Sequence, residues 1–168
     1  TDGSVDGTGA WDLDGASVAL AHRHAPGLVA APGPTGTAPD VRERPITVDQ
    51  TNRSVVVDEV VIVKWFTTPV PLPHPGLDTL AHLAEHGVDA VPRLFGVEHV
   101  DGTVTATVSE YVAGALDGWD WFVDELLAGA HGQGGDAPSW SARIGSLAAR
   151  VHLALARPSA IRPQPVGR

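Results

Sequence analysis

One lysine occurs in the chain, Lys64, and it stands inside the apolar run Val60-Val61-Ile62-Val63-Lys64-Trp65-Phe66. A run this rich in β-branched and aromatic residues predicts a mostly buried strand. An ammonium placed there needs a carboxylate or an anionic ligand, because an unpaired charge in an apolar setting is costly. The alternative is an edge position, where the stem packs and the head reaches water. A second constellation is His82-Leu83-Ala84-Glu85-His86, two histidines spaced to share a metal. The predicted helix ends at once in Gly87 and nothing downstream supplies a third ligand, so this pattern is read as a solvated helix face and no metal site is expected. Asp12-Leu13-Asp14-Gly15 lacks the later carboxylates of a calcium loop and is read as a hairpin turn. Trp119 and Trp121 stand two apart on a predicted helix, so they cannot share a face, and packing accounts for them better than ligand stacking.

These candidates sit in 168 residues with a formal net charge of −9, no cysteine and no methionine. So acidic a chain repels nucleic acid and anionic membrane surfaces, and neither is an expected partner. Disulfide and thiolate chemistry are excluded. No apolar run approaches the roughly 20 residues of a membrane-spanning helix, so a cytoplasmic protein is the expectation.

Three regions follow from the turn and periodicity signals. Residues 1–45 are rich in Gly, Pro and Asp and read as a small β region, with short strands at Ala16 to Ala21 and Leu28 to Ala31. Residues 46–116 read as a sheet. Strands are expected at Ile46 to Val48, Ser54 to Val57 and Val60 to Phe66, the last two joined by a turn at Asp58-Glu59. Pro69 to Pro75 reads as a stiff extended connector. A short helix is expected at 77–86, with Leu77, Leu80 and Ala84 on one face and Asp78, His82, Glu85 and His86 on the other. Leu94 to Val100 and Thr103 to Val112 form a hairpin about Asp101-Gly102. Residues 117–168 read as two helices and a tail. Asp117 is the predicted N-cap of the first, whose buried side is Trp119, Phe122, Val123, Leu126 and Leu127. Ser139 is the predicted cap of the second, with the stripe Ile144, Leu147, Ala148, Val151 and Leu155. The fold class is α+β: an antiparallel sheet with one short helix, then two helices.

A polar loop between strands, a lysine on the next strand, a helix with a carboxylate face and a hairpin ending in Ser109-Glu110-Tyr111-Val112 follow the order of parts in the small lobe of protein-kinase-like folds. Three segments sharpen the likeness: Asp49-Gln50-Thr51-Asn52-Arg53-Ser54-Val55, Val63-Lys64-Trp65, and Gly114-Ala115-Leu116-Asp117-Gly118-Trp119-Asp120-Trp121. They resemble the matching segments of actinobacterial glucosamine kinases and, less closely, maltokinases, within the aminoglycoside-phosphotransferase-like kinases. The resemblance covers roughly Ile46 to Ala156, with a weaker match of residues 1–45 to the family's N-terminal cap.

The resemblance implies that ATP is the ligand. Gln50, Thr51, Asn52, Arg53 and Ser54 would form the phosphate-covering loop and Lys64 would hold the phosphates. Asp78 or Glu85 would pair with the lysine, and Ser109, Glu110, Tyr111 and Val112 would form the adenine hinge. The loop lacks the usual glycines, which makes close backbone approach harder. The family's catalytic aspartate and Mg2+ ligands belong to a second lobe with a His-Gly-Asp motif. His131-Gly132-Gln133-Gly134-Gly135-Asp136 imitates that motif poorly, and no other segment offers it. The expectation is therefore the ATP side of a truncated sugar kinase, with no catalytic residue in this chain and with Mg2+ and the sugar acceptor held mainly by a missing lobe. A homodimer through the surface thus exposed is also expected. The alternative is a free-standing, non-catalytic small-lobe module that binds a protein partner or nucleotide.

Overall fold

The computed structural model describes residues 15–30, 41–46, 51–132 and 137–164. The chain is α+β, with the strands among the described residues in one antiparallel sheet, and it divides into two units. The first unit comprises Thr1–His74 with Pro92–Ala113, and the second Pro75–Val91 with Gly114–Arg168. The short helix that interrupts the strands in sequence thus groups with the later helices.

The first unit contains helix α1 (Ala16–His24) and strands β1 (Glu43–Ile46), β2 (Arg53–Val57), β3 (Val61–Pro71), β4 (Leu94–Val100) and β5 (Thr103–Glu110). The spatial order is β1-β2-β3-β5-β4, every neighbour antiparallel. Both predicted tight turns are present. Asp101 and Gly102 take φ of 49° and 75°, the doubly left-handed geometry that suits the strand twist in a two-residue hairpin, while Asp58 and Glu59 take 52° and 55° in a loop that also includes Val60, since Val57 pairs with Val61. Pro69 to Pro71 belongs to β3 rather than to a connector: after a register break between Trp65 and Val70, Val70 pairs with Val104 and Pro71 with Thr103.

The expected strand at Ala16 to Ala21 is a helix. Its apolar residues alternate with small ones, a pattern that fits both periods over so short a stretch. Tertiary contacts favour the helical one. Val18, Leu20 and Ala21 pack on Val57, Val61, Val63, Ala106 and Val108, and the Trp65 indole N–H donates to Ser17 Oγ at 3.1 Å. The helix has no side-chain cap of its own at Gly15; instead the Glu43 carboxylate of β1 accepts the Val18 N–H at 2.9 Å. Its last turn reaches β4, where Glu98 accepts from Arg23 at 2.9 Å and from His24 Nε2 at 2.7 Å. Gly96 makes room for this: a Cβ there would run into the His24 ring.

The second unit contains α2 (Pro75–Glu85), α3 (Gly118–Ala130) and α4 (Ala137–Leu155). Proline at the first position of α2 loses no hydrogen bond, so the helix starts two residues earlier than predicted. The α4 helix likewise begins before Ser139. The helix face holding His82 is not solvated as expected. His82 and Leu83 are the buried residues of α2, with His82 fully enclosed. Its Nε2 donates to the Ala154 carbonyl at 2.9 Å, and its Nδ1 lies 2.7 Å from Ser159 Oγ. Leu83, Val88 and Ala154 form the small core, joined by Val151 and Leu155. Two further predictions about helix faces fail. No residue of α3 is buried, although Phe122 and Val123 are half-covered, and Ile144 and Leu147 of α4 are exposed. Amphipathic periodicity locates an apolar stripe but does not say whether anything covers it. The Asp117 cap is present: Oδ1 accepts from the N–H of Trp119 at 2.9 Å and of Asp120 at 3.3 Å.

Two outcomes are expected. Burial pushes the Glu98 carboxyl up, but the bonds from His24 and Arg23 outweigh it and hold it below the usual range. A carboxyl lowered on folding contributes stability above its unfolded pKa and loses it as pH falls through the folded value. Urea titrations from pH 7 to 3 should therefore show a shallower acid decline for Glu98→Gln than for the parent chain. Replacing His82 by Ala removes a fully buried ring bonded at both nitrogens, and should cost about 2–4 kcal/mol. Denaturation followed by amide exchange should assign that loss to α2 and α4.

Candidate nucleotide-phosphate site

The position of Lys64 follows from register. It pairs with Ser54 of β2 and Thr107 of β5, while Val63 pairs with Val55 and Val108. Side chains alternate across a strand, so paired residues share a face. Val61 and Val63 point to the core beneath α1, and Lys64 therefore stands on the opposite face in the row Ser54–Lys64–Thr107. The adjacent row on that face is Arg44–Val56–Ile62–Ser109.

Thr51, Asn52, Ser54 and Lys64 line a polar recess of about 340 Å³. The Thr67 hydroxyl donates to the Thr51 carbonyl at 2.6 Å and ties the start of this loop to β3. The ammonium lies 5.7 Å from the centre of the Phe66 ring, within the range of a cation–π contact. Lys64 is exposed, and within its own unit no described carboxylate pairs with it. Exposure removes the desolvation cost on which the sequence argument began. What remains is position: a cation beside hydroxyl and amide groups, with no acidic side chain among the described residues that line the recess.

The sequence candidates are distributed as follows. Thr51, Asn52, Ser54 and Lys64 come together. Gln50 lies outside the described residues. Arg53 pairs with Trp65, so register sets it on the α1 face rather than with Lys64. Asp78 and Glu85 belong to the second unit, where the Glu85 carboxylate accepts the Ala160 N–H at 3.2 Å. Ser109 shares the Lys64 face. The Glu110 N–H donates to the Arg93 carbonyl and the Tyr111 N–H to the Val60 carbonyl, leaving Val112, half exposed, as the hinge amide without a backbone partner among the described residues.

Sequence reasoning missed Arg44, Thr67 and Thr107. Arg44 grips Glu59 through two parallel bonds of 2.8 and 2.9 Å and donates to the Tyr111 hydroxyl at 3.1 Å. Its pKa is raised, first by the Glu59 bond and then by Tyr111, and the same bond lowers Glu59. The arginine thus ties the edge strand and the β2–β3 turn to the segment expected to serve as hinge. Only the polar residues within apolar strands gave a signal for Thr67 and Thr107, and nothing in the sequence pointed to Arg44.

No family model matches the chain. Two curated relatives do. A glucosamine kinase of Streptacidiphilus jiangxiensis is 42% identical over 134 residues, covering 73% of this chain and 30% of that protein. A glucosamine kinase of Mycolicibacterium smegmatis is 41% identical over 87 residues, covering 48% of this chain and 22% of that protein. Among solved structures, a glucosamine kinase in complex with glucosamine, ADP and inorganic phosphate matches with a TM-score of 0.63 at 34% identity, over 86% of this chain and 36% of that one. A glucosamine kinase in crystal form B matches with a TM-score of 0.58 at 38% identity, over 73% of this chain and 30% of that one. The chain is homologous to part of glucosamine kinase. It spans about a third or less of the length of these relatives.

Thr67→Val should release the Thr51 carbonyl, with a stability loss of about 0.5–1.5 kcal/mol. Hydrogen exchange at the Asn52 and Arg53 amides should accelerate, while the core amides of Val63 and Val108 keep their relative protection.

Proposed function

We propose that this chain is the ATP-binding part of a sugar kinase that phosphorylates glucosamine. The observation that carries the reading is the recess in which Lys64 stands beside Thr51, Asn52 and Ser54 on the sheet face opposite α1. A lysine there supplies a mobile point charge for phosphate oxygens, and the hydroxyl and amide groups supply neutral donors. In this reading the sheet is a protein-kinase-like small lobe, and Val112 offers its free amide to the adenine edge. The bound ADP and glucosamine of the homologous kinase support the ligand assignment. Maltose as acceptor is less favoured, since both curated relatives are glucosamine kinases.

Phosphoryl transfer needs an aspartate to position the acceptor hydroxyl and Mg2+ to offset charge on the phosphates. Neither role is assigned to a residue of this chain; both belong to the remaining part of a longer enzyme, as does the acceptor site. The apolar residues exposed on α3 and α4, among them Trp119 at 73%, Leu127 and Ile144, fit a surface covered by that part, or by a second copy in its absence. No helix among the described residues is long and apolar enough to cross a membrane. A second reading, a non-catalytic small-lobe module, rests on the same exposed surface serving a separate protein partner.

Calorimetric titration with ADP should show weak, saturable binding. Lys64→Ala should weaken it about 10- to 100-fold, the loss of one charge-assisted contact of about 1.5–3 kcal/mol. Affinity unchanged by the substitution would refute the assignment of Lys64. The chain alone should release no ADP from ATP in the presence of glucosamine, and sugar-dependent release would overturn the division of labour proposed here.

A further inference from the structure

The helical unit holds a cleft of its own. It has a volume of about 190 Å³ and is lined by His86, Gly87 and Val88 just after α2, by Arg150 and Leu153 of α4, and by Arg157 beyond the end of that helix. Arg150 and Leu153 are three apart on α4 and share a face, and the Arg157 N–H bonds to the Ala154 carbonyl in the turn that closes the helix.

Three side chains that can donate, Arg150, Arg157 and His86, line this cleft. One nitrogen of Arg150 is engaged by the Asp89 carboxylate at the rim. The Arg157 guanidinium has no partner among the described residues. His86 Nε2 is shut off from solvent and has no hydrogen-bond partner among the described residues. Its ring meets His82 at 4.7 Å and 64°, an edge contact that satisfies such a nitrogen only weakly. The neighbouring amides give no further donors, since Gly87 N–H bonds to the Ala84 carbonyl and Val88 N–H to that of Leu83.

Arg150 and Asp89 cancel, leaving Arg157 as uncompensated positive charge in a chain whose net charge is −9. The carbonyl ends of α2 and α4 oppose an anion here, but a full guanidinium charge outweighs those partial ones. Guanidinium forks match the paired oxygens of an oxyanion, and a slight turn of the His86 ring presents a third donor. We propose that this cleft binds a small oxyanion of the sulfate or phosphate type, held by Arg157 and Arg150 and completed by His86 Nε2.

The test is a sulfate titration of the nitrogen-15-labelled full chain by NMR, with ionic strength held constant by chloride. Saturable shifts are expected at the Gly87 and Val88 amides and at the Arg157 side-chain Nε–H. Arg157→Gln should weaken the amide response at least about tenfold. His86→Phe, which keeps the ring edge but removes the donor, should weaken it less. Lys64→Ala should leave it unchanged, which separates this cleft from the proposed nucleotide site. Non-saturating shifts, an Arg157→Gln response equal to the parent's, or a response abolished by Lys64→Ala would each overturn the proposal.

Discussion

The pairing register of β3 against β2 and β5 governs most of what this chain can do. It places Val61 and Val63 beneath α1 and leaves Lys64 with Ser54 and Thr107 on the other face. A slip of one residue would bury the ammonium in the valine core and expose the valines. Two left-handed turns and the cluster of Val57, Val61, Val63, Ala106 and Val108 oppose that slip together. Core packing and site geometry are thus one constraint seen from two faces of the same sheet.

Around that register, charged and polar side chains connect elements distant in sequence. Glu43 caps α1, Glu98 holds the helix's last turn, and Arg44 joins the β1 edge to Glu59 and Tyr111. In the helical unit His82 does comparable work, linking α2 to the end of α4 and to Ser159. The Arg44 and Glu59 pair is exposed, so it orients the chain more than it stabilises it. His82 is enclosed, and there each bond matters because water cannot replace it.

The exposed apolar faces of α3 and α4 fit a chain that spans only part of its relatives. Their periodicity would serve a covered helix well. Leu126, Leu127, Ile144 and Leu147 are placed as core residues are placed, yet they lie open here.

Strong local signals made much of the fold legible in advance. Asp58-Glu59 and Asp101-Gly102 announced their turns, Asp117 its cap, and the valine runs their strands, because each depends on residues close in sequence. The isolation of Lys64 in an apolar run, with Thr51, Asn52 and Ser54 just before it, was equally readable and marked the recess. Tertiary contacts decided the rest. Ala16–His24 became a helix because the sheet offered it a valine surface and Glu43 offered it a cap. Arg53 went to the face away from Lys64 through pairing with Trp65, and His82 was drawn inward by a carbonyl and a hydroxyl more than seventy residues away. Local propensity cannot encode such outcomes, since the partner that selects between two acceptable local states comes from elsewhere in the chain.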